Sequence, residues 1–251
     1  MKYVGEIFKT NKYGNLTVIE YINNRNVHVK FADTGYETIT RLDSIFDGIV
    51  KDKLSPSVYG VGILGDGVSK TKGKQTKEYQ LWFGMLERCF DEKFQKKRPT
   101  YKGCKVSDNF KYFPYFKEWC SKQAGFNSKD DKGNPFQLDK DILVKGNKLY
   151  SEDACVFVPK EINILLTKNN AVRGELPIGV SYDRKNMKYV AQISMFKEIK
   201  RLGFFYTVEE AFSTYKTAKE AHIKEIANKW KDKIDPRVYE ALMNYQVEIT
   251  D

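Results

Sequence analysis

Asp139, Lys140 and Asp141 occupy successive positions near the middle of the chain, and a Gly146–Asn147 pair and Asn163 follow them. Two carboxylates this close can hold a divalent cation or take a proton from water, and an amide oxygen can extend a hard oxygen donor set. Asp139, Lys140 and Asp141 are therefore the candidate catalytic residues. A lysine between two acids does different work from either. An ammonium is already protonated at neutral pH, and flanking carboxylates favour that state. It can stabilise developing negative charge but accepts protons poorly. Asp141 is then the base left among the three. The plain alternative is a polar, solvated strand end.

These side chains need elements to hold them. Leu138–Leu143 reads as a strand, Lys145–Asn147 as a turn and Cys155–Val158 as a second, apolar strand. Pro159 then opens a helix, with proline in its first turn, where a missing N–H does no harm.

The charge balance points to an acidic partner. The 251 residues carry a formal charge of +10, and nucleic acid is the commonest partner of such a surface. Between Val68 and Gly103 ten Lys or Arg face four Asp or Glu. Lys96, Lys97 and Arg98 sit there among aromatic residues, a mixture suited to phosphate contact and base packing. No apolar run is long enough to span a membrane. Met1–Phe8 reads as a strand rather than a leader, so a cytoplasmic location is expected. Cys89, Cys104, Cys120 and Cys155 form no Cys-x-x-Cys pair, so buried thiols are expected and zinc is not.

The remaining pattern predicts an α+β chain. Residues 1–50 show four short β-branched runs separated by turn residues, a small antiparallel β-barrel in expectation, with His28 on its outer face. That barrel is a candidate surface for a host protein. Residues 51–77 read as a basic linker. A helix is expected over 78–92, and another starting at Ser107 with Phe110, Phe113, Phe116, Trp119 and Cys120 on its apolar face. After a linker beginning at Lys168, three strands are expected over 178–184, 188–196 and 199–206, with turns at Lys185–Asn186 and at Phe196–Lys197. Thr207 then caps a long helix carrying His222 on its apolar stripe, and a short helix spans 236–245.

This last sheet is basic. Residues 177–204 hold Arg184, Lys185, Lys188, Lys197, Lys200 and Arg201 against Asp183 and Glu198. A helix covers one sheet face and leaves the other open. Alternation sends Tyr189, Ala191 and Ile193 one way, and Val190, Gln192 and Ser194 the other. The motifs Gly179-Val-Ser-Tyr182, Lys188-Tyr-Val-Ala-Gln-Ile193 and Leu202-Gly-Phe-Phe-Tyr-Thr-Val-Glu-Glu-Ala211 make residues 177–246 resemble the APETALA-type (ethylene-response-factor) DNA-binding domain. The resemblance implies groove contacts from Ser181, Arg184, Gln192, Ser194 and Arg201 to double-stranded DNA. Phosphate contacts are expected from Lys185, Lys188, Lys197 and Lys200. The plant domains carry arginines and tryptophans at several of these places; here Ser181, Ser194 and Arg201 stand instead.

Residues 78–170 resemble phage and mobile-element HNH-type endonucleases. The carrying residues are Tyr79, Trp82, Met85, Arg88 and Cys89, then Tyr101, Cys104, Val106, Phe113, Phe116 and Trp119, and then Leu138–Asp141, Gly146-Asn147, Tyr150-Ser151, Cys155–Pro159 and Ile162-Asn163. The resemblance implies a ββα-metal unit using Mg2+ or a similar ion. Asp139 falls at the family's metal-binding Asp, Asn163 at its last ligand, and Asp153 or Ala154 at the Asn that orients the general base. Lys140 stands where that base, a histidine, belongs. Two functions follow in expectation: a DNA endonuclease, or a degenerate nuclease scaffold that binds DNA or protein without cutting.

Overall fold

The structure, a computed structural model, describes residues 2–166, 175–195 and 198–250. Helices and several antiparallel sheets alternate along the chain. It divides into two compact units, Met1–Ser121 with Lys148–Glu152, and Lys122–Asn147 with Asp153–Asp251. The division falls inside the stretch 78–170 that the sequence groups as one.

In the first unit, β1 (Ile7–Lys9), β2 (Asn15–Asn23), β3 (Asn26–Phe31) and β4 (Glu37–Thr40) pair in sequence order. Leu16, Val18, Val27, Val29 and Phe31 alternate inward and are fully buried. The expected barrel does not close. Among the described residues β1 pairs only with β2, and β4 only with β3. Leu42 and Ile45 of α1 (Leu42–Phe46), with Val50, fill out the core against the inner face, and the short outer strands remain edges. His28 lies on the other face, its Nε2 3.5 Å from Glu37.

Residues 51–77 are not a free linker. They form two hairpins, β5 (Pro56–Val58) with β6 (Gly62–Ile63) and β7 (Lys70–Thr71) with β8 (Lys74–Gln75). A Cβ on Gly62 would stand 2.5 Å from Leu86 Cδ1 and 2.9 Å from the Trp82 ring. The glycine there serves close packing, not flexibility. Thr76 caps α2 (Lys77–Phe90), which buries Trp82, Met85, Leu86 and Cys89. Asp91 caps α3 (Glu92–Lys97).

The aromatic stripe after Ser107 is broken into α4 (Asp108–Lys111) and α5 (Phe113–Lys122), with Tyr112 extended between them. Pro114 explains the break. It has no N–H to offer the carbonyl four residues back, that of Phe110. Trp82 Nε1–H takes that carbonyl instead, at 2.7 Å and fully buried. β9 (Lys105–Val106) pairs in parallel with β11 (Leu149–Tyr150).

The second unit begins with β10 (Gln137–Asp139) paired antiparallel with β12 (Val156–Val158), whose residues are all buried. Pro159 precedes α6 (Lys160–Leu165), completing a strand–strand–helix. Next, β13 (Val180–Asp183), β14 (Lys188–Met195) and β15 (Glu198–Phe205) form a three-stranded antiparallel sheet. Thr207 Oγ1 accepts the Glu210 N–H at 3.2 Å and starts α7 (Val208–Trp230), followed by α8 (Pro236–Met243). Trp230 Nε1 donates to Glu161 at 2.7 Å, fastening the end of α7 to α6. His222 is a core residue, its Nδ1 3.3 Å from Glu225. The linker expected from Lys168 and the turn at Phe196–Lys197 lie outside the described residues.

Candidate carboxylate site and nucleic-acid interface

The expected strand Leu138–Leu143 stops at Asp139, and the cause is Asp139 itself. Its Oδ1 accepts the backbone N–H groups of Asp141 at 2.8 Å and Ile142 at 2.9 Å, an Asx-type turn that folds the chain back. Asn147 Nδ2 donates to the Lys140 carbonyl at 2.7 Å and closes the loop. The Asp139 side chain is buried by this turn. Burial, and then the charge of Asp141, push its carboxyl up to about 6 against the pull of the two N–H bonds. A carboxyl held so far from its ordinary range marks a candidate functional position.

Lys140 is buried too, with Nζ 3.2 Å from Asp141 Oδ2. Lys140 thus engages Asp141, the residue expected from the sequence to act as base. Asn163 Nδ2, on α6, donates to Gln137 Oε1 at 2.9 Å. Gln137 and Asp139 are two apart on β10 and share a face. Asn163 therefore meets β10 on the face that Asp139 occupies. Carboxylate and amide oxygens suit a hard, Mg2+-type ion and not a thiolate- or imidazole-loving one. Among the described residues no group of three or more His, Cys, Asp or Glu is placed to hold a metal. All four cysteines are buried, and none is in a disulfide. Asp153 offers its backbone carbonyl to Arg237 Nη1 at 3.4 Å.

The C-terminal sheet presents a face. Val180, Ala191 and Ile193 are buried with Ala211, Phe212 and Tyr215 of α7, so α7 covers their side. Register fixes the other side row by row. Ser181 pairs with Val190 and Val190 with Phe204; Gln192 pairs with Arg201; Ser194 pairs with Ile199; Asp183 pairs with Lys188. Five expected contacts, Ser181, Lys188, Gln192, Ser194 and Arg201, therefore share one side. Ser194 and Arg201 are exposed, Gln192 half-buried. Lys200 differs: it pairs with Ile193 and belongs to the α7 side, exposed at its rim. Arg184 and Lys185 are exposed in the β13–β14 turn, where the Lys185 N–H donates to Asp183 at 2.9 Å. Lys197 lies outside the described residues.

Sequence reasoning missed three members of this face: Ile199, Phe204 and Tyr206, which are 72%, 41% and 77% exposed. Cations sit over both rings, Arg201 at 5.1 Å from the Phe204 centroid and Lys188 at 4.5 Å from that of Tyr206. A register shift hides the arrangement. Ala191 pairs with Gly203 but Gln192 with Arg201, which leaves Leu202 as an extra residue in β15.

In the first unit Lys96 and Lys97 end α3 and Arg98 follows, all three exposed. Cations at a helix C-terminus also complement its dipole. Beside them Arg88 stacks over Tyr101 at 5.7 Å, and Lys148 Nζ donates to the Thr100 carbonyl at 2.6 Å. Among the described residues no helix is long and apolar enough to cross a membrane. No family model, no characterised protein and no solved structure matches the chain.

Proposed function

We propose that the protein binds double-stranded DNA through the open face of its C-terminal sheet, on a scaffold of the HNH homing-endonuclease kind. The observation that carries this is the cross-strand pair Gln192–Arg201 on that face. A glutamine can pair with adenine and an arginine with guanine along their major-groove edges, and a three-stranded sheet can enter that groove. Ser181 and Ser194 flank the pair as further polar contacts. Arg184, Lys185, Lys188, Lys197 and Lys200 supply phosphate contacts that fix register. Lys96, Lys97 and Arg98 are proposed as a second basic contact. Arg201→Ala is expected to weaken binding to a selected duplex about 10- to 100-fold at fixed salt. Lys185→Ala is expected to weaken all duplexes alike and to flatten the salt dependence. Fluorescence anisotropy of the full chain reads both. Equal affinity of Arg201→Ala and the parent for every duplex sinks the proposal.

A second reading, metal-dependent cleavage of that DNA, is favoured by the buried Asp139 and by Asn163 on the same face of β10. Asp139 and Asn163 would hold a Mg2+-type ion, which when bound neutralises charge on the phosphate oxygens. The chain's own groups then limit the rate. Asp141, the base within this turn, is engaged by the Lys140 ammonium, and Lys140 itself serves as an electrostatic support. Slow cleavage is the expected outcome, read as nicking of supercoiled DNA with Mg2+ or Mn2+. It should disappear in Asp139→Ala and Asn163→Ala. Nicking that persists in both variants excludes this site as its source. No nicking by the parent chain leaves a DNA-binding protein on a degenerate nuclease scaffold.

A further inference from the structure

We infer that the open sheet face selects thymine next to guanine, with Phe204 seated on the thymine C5-methyl group and Arg201 on the neighbouring guanine. The inference rests on the proposal that this face enters the major groove of duplex DNA. Phe204 is 41% exposed and stands on the same face as Arg201, because the extra residue Leu202 brings side chains three positions apart to one side. The guanidinium lies over the Phe204 ring, 5.1 Å from its centroid. An arginine that reads guanine bidentately lies close to the plane of that base. A ring stacked against the guanidinium is then displaced along the helix axis by roughly one base step, about 3.4 Å. It fronts the edge of the adjoining base pair. The thymine methyl is the apolar group exposed on major-groove edges. Cytosine offers an N–H and the purines offer nitrogen and oxygen, none of which a phenyl ring satisfies.

Electrostatics support a DNA occupant over an apolar one. Lys188 lies over the Tyr206 ring and Arg201 over the Phe204 ring, with Arg184 and Lys185 exposed in the β13–β14 turn, against Asp183, in a chain of net charge +10. Asp183 is itself occupied: its carboxylate accepts from the Asn186 side chain at 2.8 Å and from the Lys185 N–H at 2.9 Å. Those bonds, the Asn186 side chain first, hold its carboxyl below the ordinary range. Asp183 therefore stays ionised near neutral pH, one carboxylate against four cations, so the rim keeps a positive balance with Phe204 as the apolar reader within it.

The test removes the methyl group and nothing else. Duplexes selected by the full chain from a randomised pool are resynthesised with deoxyuridine in place of thymidine. One lost methyl contact is expected to weaken binding by about 4-fold, the equivalent of one buried methylene at about 0.8 kcal/mol. Phe204→Ala is expected to bind thymidine and deoxyuridine duplexes equally. Because each comparison uses one protein on two DNAs, a change in folding stability cancels. Selected sites are expected to carry TG or GT steps, and Arg201→Ala to relax the guanine. Equal affinity of the parent chain for the two duplexes overturns the inference while leaving DNA binding intact. Absence of duplex binding at low salt overturns the proposed function itself. Tighter binding to the separated strands than to the duplex also overturns the inference, since exposed aromatic rings would then be stacking on unpaired bases.

Discussion

Asp139→Asn is expected to stabilise the second unit at neutral pH by roughly 2–3 kcal/mol. The Asp139 carboxyl, 3.8 in an ordinary setting, is pushed up to about 6 by burial and by Asp141. A raised acid favours the folded state fully only below its unfolded value. The stability it contributes is lost as pH rises from near 3.8 through about 6. Asparagine keeps the acceptor for the Asp141 and Ile142 N–H groups. It can also offer an amide N–H to Asp141 where the neutral acid would offer O–H. Parent and variant should therefore be alike in acid, with a gap that grows by about 1 kcal/mol from about pH 5 to about pH 7.5. Urea unfolding at both values measures it. A gap that does not change with pH rules out a buried, uncompensated carboxylate. Mg2+ or Mn2+ should narrow the gap by stabilising the ionised parent, and should leave the variant unmoved if Asp139 is a ligand.

Gly179→Ala is expected to cost about 3 kcal/mol or more and to loosen the C-terminal sheet from α7. Gly179 has φ +77°, and a Cβ there would stand 2.0 Å from Tyr215 Cδ2 and 2.3 Å from its Cγ. Left-handed backbone alone costs an alanine about 1 kcal/mol or more. The clash adds to it, because Tyr215 is 4% exposed and meets the new atom at the rigid root of its ring. Thermal unfolding followed by intrinsic tryptophan fluorescence, to which Trp230 of α7 contributes, reads the loss. Duplex affinity should fall with it at temperatures where the sheet detaches. A variant as stable as the parent would mean that Tyr215 has room to move.

The C-terminal sheet was legible because three signals agreed. Alternation marked β14, the turn residues Lys185 and Asn186 marked its hairpin, and Thr207 with Glu210 marked the start of α7. The aromatic stripe of α4 and α5 was legible as core but not as two helices. Helical spacing persists through Tyr112, and only Pro114, which has no N–H for the Phe110 carbonyl, separates them. Residues 51–77 were misread because their glycines look the same whether they loosen a chain or let Trp82 and Leu86 approach. Closure of the first sheet depends on what fills its inner face, and α1 supplies that from outside the strand pattern. At Asp139 the residue types were legible and the burial was not. A carboxylate that turns back to cap its own loop gives no periodic signal.

The extra residue at Leu202 sets the parity of β15. In an uninterrupted strand, side chains an odd number of places apart point to opposite sides, and Arg201 and Phe204 would be divided between groove and core. One inserted residue joins them. A chain lacking Leu202 would have the same charge and nearly the same composition. Its strand would be regular, and the two side chains, then two places apart, would still share a side but without the added local twist that the extra residue brings. Whatever recognition this face performs depends on the local twist that one extra residue gives β15 as well as on the side chains it carries.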